Sequence, residues 1–148
     1  MTTQFTIIRE EYNSITYESI VTIHTCLGDF TGRTVADEID SQYPSMHNGN
    51  AIALNKALQK FAKAAIRQAK AQVQAIRPLI DAWGLASPAN DEDPYRDVYN
   101  YQYRQFRNAE ATLRLWTDRL ANLQKTIMRR VEVRDSLVKA YLEKDKKD

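Results

Sequence analysis

The sequence predicts an α+β fold that is predominantly α: an N-terminal β-hairpin, a short helix, and a long antiparallel, coiled-coil-like helical hairpin. Glycine and proline are scarce, with four of each in 148 residues, so turns are few and elements are long. β-Branched and aromatic residues alternate near the N-terminus, and apolar residues recur at helical spacing afterwards. We expect a single domain, 1–148, with a small β/α module at 1–47 and the helical hairpin at 48–148.

The N-terminal module is expected to begin with two strands, 3–12 and 15–27, joined by a turn at Asn13-Ser14. Gly28-Asp29 is expected to turn the chain again, with Phe30 to Val35 as a candidate third strand. A two-stranded hairpin is marginal alone, so it needs a helix to cover one face. The residues expected on that buried face are Phe5, Ile7, Tyr17, Val21 and Ile23.

A short acidic helix is expected from Thr34 to Tyr43, because Pro44 then ends the pattern. The following residues, 44–50, read as a polar loop. Asn48 or Asn50 is then expected to cap the first long helix.

Two long helices form the expected hairpin. The first covers 51–83, contains Pro78 and stops at Gly84. The second starts at Asp93-Pro94 and meets no glycine or proline before about Lys146. The apolar stripe of the first helix is Leu54, Leu58, Phe61, Ala65, Ala69, Val73, Ile76, Ile80 and Trp83. The second helix carries a heptad seam of Phe106, Ala109, Leu113, Trp116, Leu120, Leu123 and Ile127.

The arms of this hairpin are unequal, at about 50 Å and about 78 Å when each residue adds about 1.5 Å. The heptad seam fails after Ile127, where the shorter arm should end. The overhang, 128–147, is therefore expected beside the N-terminal hairpin or against a second copy of the chain, and a homodimer stays open.

Composition argues against several classes of protein. A lone cysteine, Cys26, allows neither an internal disulfide nor a cysteine-based zinc site. No apolar run approaches the length of about 20 residues that crosses a membrane, and no basic-then-apolar leader is visible, so we expect a cytoplasmic protein, of the cell or of an infected host. His24 beside Cys26 reads more simply as a polar strand edge than as half of a metal site. Since no catalytic motif appears, we expect no enzyme activity, no metal and no cofactor.

The first long helix carries a basic face. Its cations recur at steps of four, three, four, three and then seven residues, and Asp81 is the only acid in the helix. A solvated face normally mixes signs, because like charges at this spacing repel. This face is either solvated or bound to an acidic partner. Its residues are Lys56, Lys60, Lys63, Arg67, Lys70 and Arg77.

An aromatic cluster with interleaved arginines marks the start of the second helix. Such clusters stack bases and bind phosphates, and they also anchor protein interfaces. The alternative is that the tyrosines cap the hairpin core near Trp83. The candidate contact residues are Tyr95, Arg96, Tyr99, Tyr103, Arg104 and Arg107.

These two features predict a non-enzymatic protein that contacts an acidic macromolecule, either nucleic acid or a larger protein complex. A second hypothesis is a small inhibitor or adaptor, for example a phage protein that blocks a host defence complex. A third is a self-assembling structural component. The charge distribution suits a charged partner, since residues 1–49 carry two bases and seven acids, and residues 50–148 carry nineteen bases and twelve acids.

Overall fold

A computed structural model describes residues 4–36, 46–88, 90 and 92–147 of the chain. It confirms an α+β fold that is predominantly α, with a three-stranded antiparallel sheet followed by a helical hairpin. The expected short helix is not covered as a whole: its first residues, Thr34 and Val35, lie in a strand, and 37–43 lie outside the described residues. The elements are β1 (Phe5–Asn13), β2 (Glu18–Thr25), β3 (Gly28–Val35), α1 (Met46–Trp83), a 3-10 turn (Gly84–Ala86) and α2 (Arg96–Lys147).

The chain divides into two compact units. Unit 1 contains residues 1–62 and 119–148, so it includes the sheet, the first part of α1 and the end of α2. Unit 2 contains residues 63–118, which are the rest of α1, the connection and the first part of α2. The expected overhang, 128–147, thus belongs to the same unit as the strands. Pairing of this segment with a second copy stays a prediction.

The turns of the sheet differ from the predicted ones. Between β1 and β2 the loop has four residues, 14–17, rather than the predicted two. Asn13 explains this loop, because its Oδ1 accepts the backbone N–H groups of Ile15 and Thr16 at 2.8 and 3.1 Å, and Tyr17 takes a φ of 58°. Between β2 and β3 the turn lies at Cys26 and Leu27, so β3 begins at Gly28, two residues earlier than predicted.

The core of unit 1 lies between the sheet and α1. Alternate residues of the central strand β2 are buried on one face, among them Val21 and Ile23. Gly32 of β3 approaches α1 so closely that a Cβ atom there would lie 1.8 Å from the carbonyl oxygen of Ala53. The ring of Phe30 also stacks on Phe61 of α1, with centroids 5.8 Å apart. A residue without a side chain is therefore what lets the sheet rest on the helix backbone.

The predicted burial of β1 is partly wrong. Phe5 and Ile7 are 39% and 42% exposed, whereas Val21 and Ile23 are buried as expected and Tyr17 is half-buried. β1 is an outer strand, and its pairing register shifts between Ile7 and Arg9, so it has a bulge. An outer strand has a neighbour on one side only, which leaves its apolar residues partly in solvent.

α1 begins at Met46, earlier than predicted. The expected polar loop at 44–50 and the expected caps at Asn48 and Asn50 are therefore wrong for 46–50, which are helical. The amide of Asn50 instead donates to the carboxylate of Glu10 at 3.1 Å, within unit 1. The helix continues through Pro78 to Trp83, and none of the nine predicted stripe residues is exposed.

α2 starts at Arg96, two residues after the predicted Pro94. Asp93 still organises this start, since its Oδ1 accepts the N–H of Tyr95 at 2.9 Å and its carbonyl accepts that of Arg96 at 3.1 Å. The heptad seam is confirmed as an inward-facing row, because none of its seven residues is exposed and Ala109 and Trp116 are buried. No described helix has both the length and the apolar character that a membrane span requires.

Candidate functional site

The predicted basic face falls into two parts with different surroundings. Lys56 and Lys60 lie in unit 1, where their ammonium groups donate to backbone carbonyls of the outer strand β3. Lys56 reaches the oxygen of Arg33 at 3.2 Å, and Lys60 reaches that of Thr31 at 2.6 Å. A lysine at a strand edge blocks pairing with a further strand. These two residues therefore have a role within the fold.

The remaining part of the basic face lies in unit 2. Lys63, Arg67 and Lys70, hereafter the stem cations, are exposed. Within the part of the chain that the structure describes, they make no hydrogen bond or ion pair. Residues 63–80 contain four bases and no acid. Because neighbours at three- and four-residue spacing lie only about 5–6 Å apart, these charges repel one another.

Arg77, the last member of the basic face, is stacked rather than free. Its guanidinium lies 5.7 Å from the ring centroid of Phe106 on α2. At about 100° per residue, the stem cations and Arg77 fall within about 80° on the helical wheel of α1. The contact with Phe106 therefore indicates which side of unit 2 the stem cations occupy.

The aromatic cluster forms an ordered ladder in unit 2. It consists of Trp83 from α1 and of Tyr99, Tyr103 and Arg107, which repeat every four residues along α2. The Trp83 ring meets Tyr99 edge-on at 5.6 Å, Tyr99 stacks on Tyr103 at 5.9 Å, and the Arg107 guanidinium covers Tyr103 at 5.5 Å. Trp83 is also held by its indole N–H, which donates to Gln102 at 2.8 Å.

The ladder and the stem cations share one side of unit 2. On the wheel of α2, Tyr99, Tyr103 and Arg107 lie within about 100° of Phe106. Phe106 in turn contacts Arg77 from the basic face. Antiparallel helices that touch along one flank present the neighbouring positions of both helices on that flank. The structure thus brings most of the predicted unit 2 residues into one surface.

The other members of the predicted aromatic cluster have separate places. Tyr95 is 62% exposed, and its ring lies 6.4 Å from that of Trp83 at the head of the ladder. Arg104 is exposed on α2, whereas Arg96 is half-buried at the first residue of the helix. Both predicted alternatives thus have a share, because the tyrosines cap the hairpin and still reach solvent.

Exposed apolar residues near the connection were not predicted as part of the site. We call residues 79–103 the tip. Leu79, Leu85, Val98 and Tyr101 are all at least half exposed. Their signal in the sequence was weak: none belongs to the apolar stripe or the heptad seam, and leucine next to Gly84 reads as ordinary loop. Together with Tyr95 and Tyr103, they account for six of the thirteen exposed large hydrophobic residues.

Charge is distributed unevenly within unit 2. Residues 63–78, the stem, contain four bases and no acid, which gives +4. The tip contains one base, Arg96, and five acids, which gives −4. The acids are Asp81, Asp91, Glu92, Asp93 and Asp97. The surface is therefore bipolar, with a basic stem and an acidic, apolar tip.

The polar face of the sheet carries the histidine that was weighed as a metal ligand. His24 Nδ1 lies 2.6 Å from Asp29 Oδ1 on the neighbouring strand, and Cys26 is exposed in the adjoining turn. Among the described residues, no group of three or more His, Cys, Asp or Glu side chains is arranged to hold a metal ion.

Comparison with protein families, curated proteins and solved structures gives no significant match. Function is therefore inferred from the geometry and charge of the described residues.

Proposed function

We propose that this chain is a non-enzymatic binding protein that contacts an acidic macromolecule through unit 2. The stem cations attract the partner, and the ladder anchors it. The observation that carries this proposal is the set of three exposed cations that have no anionic neighbour among the described residues. We place its activity in the cytoplasm of the cell or of an infected host, since an exposed free Cys26 suits a reducing compartment.

The stem supports this function because it lacks what a purely solvated helix face normally has. Lys63 and Arg67 are four residues apart, and Arg67 and Lys70 are three apart, so two like-charged pairs each cost about 0.2–0.5 kcal/mol. An acidic partner removes this repulsion and forms new pairs. Three exposed pairs at about 0.2–1 kcal/mol each contribute roughly 1–3 kcal/mol, which is about a five- to 150-fold gain in affinity.

The ladder supports the same function in a different way. Its side chains are held before any partner arrives, by stacking at 5.5–5.9 Å and by the bond from Trp83 to Gln102. Tyr103 is nevertheless 40% exposed. Ordered aromatic side chains lose little conformational entropy on binding, which is why they dominate interface energetics.

Charge reversal in the stem tests this proposal. The variant Lys63→Glu, Arg67→Glu, Lys70→Glu changes the charge by −6 at residues that make no hydrogen bond within the described chain. Its matched control, Lys125→Glu, Arg129→Glu, Lys139→Glu, changes the charge equally at exposed positions of unit 1. Fluorescence anisotropy would follow labelled polyglutamate and a labelled oligothymidylate of equal charge at low and high salt.

We expect the wild type and the control to bind at least one polyanion at low salt, and the stem variant to bind it about tenfold or more weakly. Higher salt should reduce the affinity of all three proteins for the polyanions. Equal affinity of the stem variant and the control, or no binding by the wild type, would show that the basic face is only solvated.

A further inference from the structure

We infer that the partner of unit 2 is a protein, with an acidic patch for the stem and a basic, apolar patch for the tip. This inference rests on the proposed function and names the class of partner. Three features of unit 2 separate a protein from a nucleic acid: the bipolar charge, the covered ring faces, and the apolar side chains of the tip.

The bipolar charge is the first feature. The stem carries +4, and the adjoining tip carries −4. Asp81, Glu92 and Asp97 of the tip are exposed, so these charges face solvent. Phosphates repeat along every nucleic acid strand, so a strand that follows the stem toward the tip meets these carboxylates and is repelled. A protein surface places both signs in complementary positions.

The ring faces of the ladder are the second feature. Base stacking requires an aromatic ring with an open face. Tyr103 lies between Tyr99 at 5.9 Å and the guanidinium of Arg107 at 5.5 Å. Phe106 is likewise covered by Arg77 at 5.7 Å. What these rings offer a partner is therefore their edges and hydroxyl groups, which suit side chains and backbone carbonyls of a protein.

The apolar side chains of the tip are the third feature. Leu79, Leu85 and Val98 are all at least half exposed, within the same unit as the ladder. Aliphatic side chains gain little from a phosphate backbone, whereas their burial against another apolar surface stabilises a complex by about 25 cal/mol per Å². Aromatic residues such as Tyr95 and Tyr101 beside them complete the composition of a protein interface core.

The distances set the geometry of the complementary surface. From Lys63 to Arg77 the stem covers 14 residue steps of α1, which is about 21 Å. The partner must therefore bring carboxylates along about four helical turns and place cations and apolar residues next to Asp81. An amphipathic helix with an acidic end and a basic end fulfils this requirement.

Three labelled probes of similar length distinguish the classes of partner. One is a bipolar peptide with a glutamate-rich half and a half that bears lysine and leucine; the others are polyglutamate and oligothymidylate. The tip variant Asp81→Lys, Glu92→Lys removes two exposed tip carboxylates, and Asp118→Lys, Glu143→Lys is its matched control at exposed positions outside the tip. Asp97 is left unchanged because it lies in the first turn of α2, where an acid favours the helix.

We expect the wild type to bind the bipolar peptide about tenfold more tightly than polyglutamate or oligothymidylate. The tip variant should lose about five- to tenfold in affinity for the bipolar peptide and gain affinity for oligothymidylate, and the control should do neither. Circular dichroism would confirm that every variant remains helical.

Several results would overturn this inference while leaving the proposed function in place. If oligothymidylate bound most tightly and Tyr103→Ala abolished that binding, the partner would be a single-stranded nucleic acid. If the bipolar peptide bound no better than polyglutamate, the tip would take no part. If sedimentation showed a dimer that Leu85→Ser abolished, a second copy of the chain would be the occupant. If the wild type bound none of the probes, the proposed function itself would fail.

Discussion

Replacing Gly32 with alanine is expected to push the sheet of unit 1 away from α1. The added Cβ would lie 1.8 Å from the carbonyl oxygen of Ala53 and 2.7 Å from the backbone nitrogen of Ala57. An ordinary contact starts at 3.4 Å, so the separation must grow by about 3.4 − 1.8 = 1.6 Å. Both obstructing atoms belong to the helix backbone, so no side-chain rotation relieves the clash.

The cost follows from what this displacement opens. A gap of about 0.5–1 Å already removes a quarter to a half of a dispersion contact, so a larger one loses most of it. Val21, Ile23 and Phe61 are almost fully buried and would all lose contacts. Overpacking usually costs about 1–3 kcal/mol, and a backbone obstacle places Gly32→Ala at the upper end or above, at about 3 kcal/mol or more.

Urea unfolding followed by circular dichroism would measure this loss. With a slope of about 1–3 kcal/mol per molar urea, a loss of 3 kcal/mol lowers the midpoint by at least about 1 M. Arg33→Ala is the control, since Arg33 is the next residue of β3 and is exposed; we expect a change within about 0.5 kcal/mol. If Gly32→Ala were as stable as this control, the described packing of β3 on α1 would be wrong.

Three further predictions concern unit 1. Lys60→Met should lower the free energy of unfolding by about 0.5–1.5 kcal/mol and should produce concentration-dependent association in sedimentation velocity, because the carbonyl of Thr31 loses its donor; a stable monomer would contradict the blocking role. Asn55→Ala should cost about 1–3 kcal/mol in thermal unfolding, because the buried amide donates to a backbone carbonyl of α2; a neutral variant would remove it from the determinants of hairpin register. The hydrogen bond and charge of Arg9 hold the pKa of Glu11 below its usual value, so this carboxylate stabilises the fold above about pH 4.3, and that contribution is lost as the pH falls through the lowered pKa; Arg9→Gln should raise the pKa in a carboxyl NMR titration, and an unchanged pKa would refute the pair.

The long helices could be predicted from the sequence because their signals are periodic and repeated. The seven residues of the heptad seam act together, and each of them is turned away from solvent. Element ends were less accessible. Asn48 and Asn50 resemble caps, but both lie inside α1, where Asn50 bonds Glu10 of β1. A contact with a residue 40 positions earlier leaves no local trace in the sequence.

Burial on the sheet shows the same limit. Phe5 and Ile7 alternate correctly for a buried face, yet strand order places β1 at the outer edge. Alternation tells which residues share a face, but it does not tell how far a covering helix extends over that face. The bulge between Ile7 and Arg9 is likewise set by pairing with β2.

The candidate site was only partly predictable. The four-residue spacing of Tyr99, Tyr103 and Arg107 was visible in the sequence, and the structure turns it into a stacked ladder. The division of the basic face was not visible, because nothing near Lys56 or Lys60 shows that β3 supplies their acceptors. Local spacing identifies a charged row, and tertiary contacts decide which of its members stay available.

Chemical-shift mapping of ¹⁵N-labelled protein with the bipolar peptide tests most directly that unit 2 is the binding surface. We expect the affected backbone amides to cluster at 63–77 and at the tip, with the Trp83 indole N–H among them and little change at β1 or β2. The stem variant should remove the changes at 63–77. Shifts confined to the sheet, or spread evenly over both units, would contradict the assignment of binding to the stem cations and the ladder.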